Sequence, residues 1–106
     1  MKIYISLPIT GHDIETVKAR AATIKQLLSS EWNEVITPFD VCTETDKPYS
    51  YYMGRDIEAL LECDAVFMAD GWQNSKGCSL EYNAAMLYGK YVFTEIMLKN
   101  SKTILL

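Results

Sequence analysis

Apolar residues recur along this chain at two spacings, and these mark out short strands and amphipathic helices. In Lys2–Ser6, Ile3 and Ile5 point one way and Tyr4 and Ser6 the other, which predicts a first strand. Leu7–Gly11 reads as a turn, with Pro8 and Gly11 as its punctuation. Asp13 is the expected N-cap of a helix whose inner face is Ile14, Val17, Ala21, Ile24 and Leu28. Its outer face carries Glu15, Lys18, Lys25 and Gln26, and it fades at Ser29-Ser30. Glu34–Thr37 predicts a second strand, stopped by Pro38. Phe39–Ser50 is polar and rich in turn formers, so it reads as a long loop. Tyr51–Cys63 predicts a second helix, with Met53, Ile57, Leu60 and Leu61 apolar.

Asp64–Gly89 is the most informative stretch. Ala65–Ala69 is a continuous apolar run, as expected of a strand covered on both faces. Asp70-Gly71 breaks it, and Trp72–Gly77 has the composition of a loop. Leu80, Ala84 and Leu87 then give a third helix its expected inner face, and Gly89 ends it. Tyr91–Thr94 predicts a fourth strand. Thr103–Leu106 reads as a short fifth strand or a docking segment.

This alternation implies a three-layer α/β/α fold of flavodoxin or Rossmann type. The expected parallel sheet has strand order 2-1-3-4, with room for a fifth strand. Residues 1–106 read as one domain. In that order the switch point lies between strands 1 and 3, so a ligand site is expected in the loops Leu7–Gly11 and Asp70–Gly77. The loop Pro38–Ser50 could close over it.

Composition narrows the function classes. An apolar fraction of 49% over 106 residues supports a packed core. The net charge of −4, with both signs interspersed, gives no basic track for a nucleic-acid backbone. No signal peptide or membrane-length apolar run is evident, so a cytoplasmic location with no membrane partner is expected. Three cysteines without CxxC spacing argue for reduced thiols, no zinc site and no metal. Neither GxGxxG nor GxxxxGK[ST] occurs, and no cofactor is expected. His12 is the only histidine and reads as a solvated loop residue.

Glu81 is placed in the first turn of the third helix, beside the crevice at the carboxyl end of its strand. The exposed amides there favour an ionised carboxylate, which can act as a nucleophile. The plainer reading is an acidic residue decorating a helix start, though Cys78 stands where a capping box needs Ser or Thr. Asp56 could supply the second carboxylate that glycosyl transfer requires, or could simply pair with Arg55. Tyr4 reads as a site residue or a core tyrosine, and Ser75 as a ligand contact or an N-cap. Two helix N-termini could bind an anion, one through Thr10 and Gly11, the other through Ser75, Lys76 and Gly77.

Three segments, KIYISLPITG, DIEALLECDAVFMADGW and GCSLEYNAAMLYGKYV, occur in an order and spacing that resembles the nucleoside 2-deoxyribosyltransferase superfamily. They cover about half the chain, and the nearest pattern is a branch of short bacterial and phage proteins. The resemblance implies that Glu81 is the nucleophile forming a deoxyribosyl ester. It implies that Asp56 helps the base leave, and that Tyr4 stands near the sugar. Ser75 falls where transferases acting on free nucleosides carry a carboxylate and phosphate-preferring N-glycosidases carry a serine, which implies a nucleoside 5-monophosphate. The expected partner is thus a nucleoside or nucleotide, bound by a homo-oligomer. A non-catalytic nucleotide-binding or sensing module is the alternative, kept open by Leu7 and Cys78, which depart from the family pattern.

Overall fold

The computed structural model describes the backbone of residues 1–105 and the side chains as far as residue 100. Four parallel strands, β1 (Lys2–Ser6), β2 (Glu34–Ile36), β3 (Ala65–Met68) and β4 (Tyr91–Thr94), form a sheet in the order β2-β1-β3-β4. This is the order that the alternation of strands and helices predicts. Central β1 sets Tyr4 opposite Ile36 on one side and Val66 on the other. The helices are α1 (Ile14–Leu28), α2 (Pro38–Val41), α3 (Tyr49–Leu61), α4 (Lys76–Leu87) and α5 (Glu95–Leu105).

Strand alternation divides the core between two faces. On one face Ile3, Ile5 and Phe67 pack against Val17, Ala21 and Ile24 of α1, with Leu98 of α5 at the margin. Phe67 and Phe93 meet edge to face at 5.4 Å. On the other face Tyr4, Val66 and Met68 pack against Leu60 of α3 and Cys78 and Ala85 of α4. Asp13 caps α1 by accepting from the Thr16 backbone N–H at 3.0 Å.

Three elements differ from the sequence expectation. Phe39–Ser50 is not a plain loop. It contains α2, and α3 begins at Tyr49. Thr37 caps α2, with the Asp40 carboxylate accepting from the Thr37 N–H, and Pro38 sits at the first helical position.

The fully buried face of α4 is Cys78, Glu81 and Ala85; of the expected Leu80, Ala84 and Leu87, only Ala84 packs, partly buried, against the core. Leu80 is 51% exposed and Leu87 82% exposed. The two stripes have the same spacing, i, i+3 or i+4, i+7, so periodicity alone cannot separate them. On the buried stripe Cys78 and Ala85 pack in the core and Glu81 meets the Tyr4 and Ser6 hydroxyls of β1.

Residues 95–105 form a helix, so the sheet has no fifth strand among the described residues. Thr94 accepts from the Met97 N–H through its hydroxyl, and the chain turns into α5 directly from β4. Of the proposed strand Thr103–Leu106, the first three residues are helical and Leu106 lies outside the described residues.

Candidate active site

The loops that follow β1, β2 and β3, together with α3 and the start of α4, enclose a cavity of about 970 Å³ at the carboxyl ends of the strands. That is where an open parallel sheet offers a ligand crevice. Glu81, Asp56, Ser75, Lys76, Gly77 and Thr10 line it. Gly11 does not, and Tyr4 is fully buried beneath the cavity wall.

The loop after β3 is held from outside. The Arg20 guanidinium donates to the Asp70 carbonyl at 3.1 Å and to Glu95 Oε1 at 3.0 Å. The Asp70 N–H donates to the same Glu95 oxygen at 2.9 Å, and Lys99 reaches the Asp70 carboxylate at 2.7 Å. Gly71 then takes a left-handed φ of 89°, a region where a side chain would be strained. On the opposite wall, Tyr51 donates to the Glu44 carboxylate and Tyr52 to the Glu44 carbonyl at 3.0 Å. These bonds fix the segment 43–46 where it faces the cavity.

Glu81 is only 4% exposed. The Tyr4 hydroxyl donates to its Oε2 at 2.5 Å, and the Ser6 hydroxyl donates to its Oε1 at 2.7 Å. The helix starts at Lys76, so Glu81 lies in the second turn of α4, not the first. The expectation that first-turn amides keep it ionised therefore does not hold. Burial raises its pKa to about 7, and the Tyr4 and Ser6 hydroxyls oppose that rise.

Asp56 projects from α3 and is 8% exposed, with Oδ1 lacking a hydrogen-bond partner among the described residues. Burial raises its pKa to about 7 as well; the Glu81 charge adds to this and the Tyr4 hydroxyl opposes it. A buried carboxyl oxygen without a partner is costly unless something completes it. Protonated, Asp56 is a hydrogen donor facing the cavity.

Ser75 is the N-cap of α4 and accepts from the Cys78 N–H at 3.2 Å. Gly77 is a point of close approach: a Cβ there would lie 3.1 Å from the Tyr49 hydroxyl and 3.3 Å from Met53 Sδ. Lys18 and His12 also border the cavity. Among the described residues, no group of three or more His, Cys, Asp or Glu side chains could hold a metal ion, and no helix is long and apolar enough to cross a membrane.

Residues 1–94 match the family described as Domain of unknown function (DUF4406). The chain belongs to that family. Its fold is similar to a solved 2-desoxiribosyltransferase from Leishmania mexicana, with a TM-score of 0.69 and 20% sequence identity. The likeness covers 88% of this chain and 62% of that one, so this chain spans less than two thirds of the other's length. At that identity the likeness establishes a common fold. No curated protein matches the chain.

Sequence reasoning missed one residue in contact with Glu81 of this DUF4406 chain. In the sequence Ser6 reads only as facing the same way as Tyr4. The signal was present, because a polar residue two positions after Tyr4 in a buried strand must find a partner on the same face.

Proposed function

We propose that this chain cleaves or transfers the N-glycosidic bond of a nucleoside or nucleoside 5-monophosphate, with Glu81 as nucleophile. One observation carries the reading: a buried carboxylate with a hydroxyl on each oxygen borders the same cavity as a second buried carboxyl whose Oδ1 has no partner. Two such groups divide the work by environment. The hydroxyls of Tyr4 and Ser6 favour the ionised form of Glu81. Asp56 Oδ1 has no comparable donor, so the proton that the pair retains near neutral pH resides on Asp56.

In the first step a Glu81 oxygen bonds to the anomeric carbon as the carbon–nitrogen bond breaks, and Asp56 gives its proton to the departing base. In the second step water or an acceptor base attacks the same carbon, the ester bond breaks, and the proton of the attacking group passes to Asp56. Tyr4 acts through Glu81 and is a positioning residue. Ser75, Lys76 and Gly77, with Thr10 from the loop after β1, are read as the contacts of a 5-phosphate, which a helix N-terminus suits; Gly11 lies outside the cavity lining and drops out of that set. Residues 1–106 are read as one such domain, and the exposed Leu80, Leu87, Tyr88 and Tyr91 as apolar surface available to a homo-oligomer.

The test is a panel of deoxynucleosides and their 5-monophosphates, with released base detected by chromatography. Base release that Glu81→Gln abolishes supports the reading. Binding without release, unaltered by Glu81→Gln, supports a non-catalytic nucleotide-binding module instead.

A further inference from the structure

Ser6 occupies the last position of β1, two residues after Tyr4, and its side chain is fully buried on the same face of the sheet. Its hydroxyl is 2.7 Å from Glu81 Oε1, while Tyr4 takes Oε2. Each oxygen of Glu81 therefore has its own donor, and both donors stand on one central strand flanked by β2 and β3. A strand so held places the two hydroxyls more rigidly than loop residues would.

We propose that Ser6 is a positioning residue that fixes the plane of the Glu81 carboxylate and takes up its charge when the bond from Glu81 to the sugar breaks. This rests on the reading of Glu81 as nucleophile. When Glu81 bonds to the anomeric carbon and the base leaves with the electron pair of the carbon–nitrogen bond, the carboxylate charge disappears. When water then attacks that carbon, the electron pair of the carbon–oxygen bond returns to Glu81, and the proton of the water goes to Asp56. The charge reappears in front of a hydroxyl already aimed at it, without reorganisation. By stabilising the anion, Ser6 makes Glu81 a better leaving group and a weaker nucleophile, so it hastens the second step relative to the first.

The experiment compares the wild-type protein with Ser6→Ala and with Ser6→Cys, which keeps a weak donor. The Glu81 carboxyl is titrated by NMR in glutamate-labelled protein, with Glu81→Gln to assign its signal. In parallel, base release is followed against pH, and the deoxyribosyl adduct on Glu81 is measured by mass spectrometry at steady state. In Ser6→Ala the Glu81 titration and the acidic limb of the pH profile should rise by about one pH unit. The adduct should accumulate, apparent KM should fall together with kcat, and Ser6→Cys should lie between the two. An unchanged Glu81 titration in both variants overturns the assignment, whatever the activity. If the titration shifts but the wild-type protein releases no base, Ser6 still holds Glu81, and it is the nucleophile reading, with the leaving-group role, that falls.

Discussion

The Tyr4 hydroxyl, on the central strand, donates to Glu81 Oε2 at 2.5 Å, although 77 positions of chain separate the two residues. The bond joins the sheet to α4 at the cavity wall. Tyr4→Phe removes a hydrogen bond to a charged group, an interaction of about 1.5–3 kcal/mol. Base release by Tyr4→Phe should fall by about 10- to 100-fold, and steady-state kinetics over a range of pH should show the loss greatest on the acidic side. Equal rates at every pH would show that Tyr4 only packs.

Glu81→Gln and Asp56→Asn should separate by substrate. On the proposed mechanism, Glu81→Gln removes the nucleophile and should abolish turnover of every substrate while leaving ligand affinity within a few-fold. Asp56→Asn removes the proton donor, so its effect should shrink for substrates whose base leaves easily. Rates on a series of bases graded by leaving ability measure this; a uniform loss in Asp56→Asn would assign it a structural role.

Both carboxyl groups hold their protons more tightly in the folded chain, at about 7, than in the unfolded chain. The folded state thus binds more protons than the unfolded state between about pH 4 and pH 7, and stability falls as pH rises through that window. The pair's contribution is fully favourable below the unfolded values and fully lost above about 7. Denaturant melts at pH 4.5 and 8 should show wild type losing stability relative to the double variant Glu81→Gln/Asp56→Asn as pH rises. Parallel curves would mean that the pair titrates normally.

Much of this fold is legible in the sequence because burial on both faces forces it. Ala65–Ala69 can only be a covered strand, and the alternation in Lys2–Ser6 assigns Tyr4 and Ser6 to one face. The inner face of α4 is not legible in the same way. Leu80, Ala84 and Leu87 satisfy the helical period as well as Cys78, Glu81 and Ala85 do, and a hydropathy pattern favours the wrong stripe. The hydroxyls that satisfy buried Glu81 come from residues 75 and 77 positions away. Such partners are invisible to any local window. The cap of α2 was legible, in Thr37-Pro38-Phe39-Asp40, but its acidic residue is Asp rather than the usual Glu or Gln.

The outward stripe of α4 gives a direct check. Leu87→Lys should change the stability of the monomer by less than about 0.5 kcal/mol, since the side chain is already in water. Chemical denaturation measures it. A loss of several kcal/mol would restore Leu87 to a core.

Gly77 should matter more to binding than to folding. A Cβ there meets only side-chain ends, the Tyr49 hydroxyl and Met53 Sδ, which can move. Gly77→Ala also gains about 1 kcal/mol of helix propensity, which offsets the crowding. Its melting temperature should stay within a few degrees of wild type, while ligand affinity weakens because Tyr49 and Met53 both border the cavity. Calorimetric titration would detect this; unchanged affinity would place Gly77 outside the binding region.

The clamp of Arg20, Asp70, Glu95 and Lys99 gives α5 a reach beyond its own packing. Glu95 and Lys99 lie just past residue 94, where the family match ends, yet they hold the turn that carries Gly71 into the cavity. A chain cut back to that match would keep every cavity-lining residue and lose two of the four members of the brace behind them. The aim of the first residues of α4 therefore depends on a helix that never touches the ligand space, and damage there would be felt as blurred geometry rather than as missing chemistry.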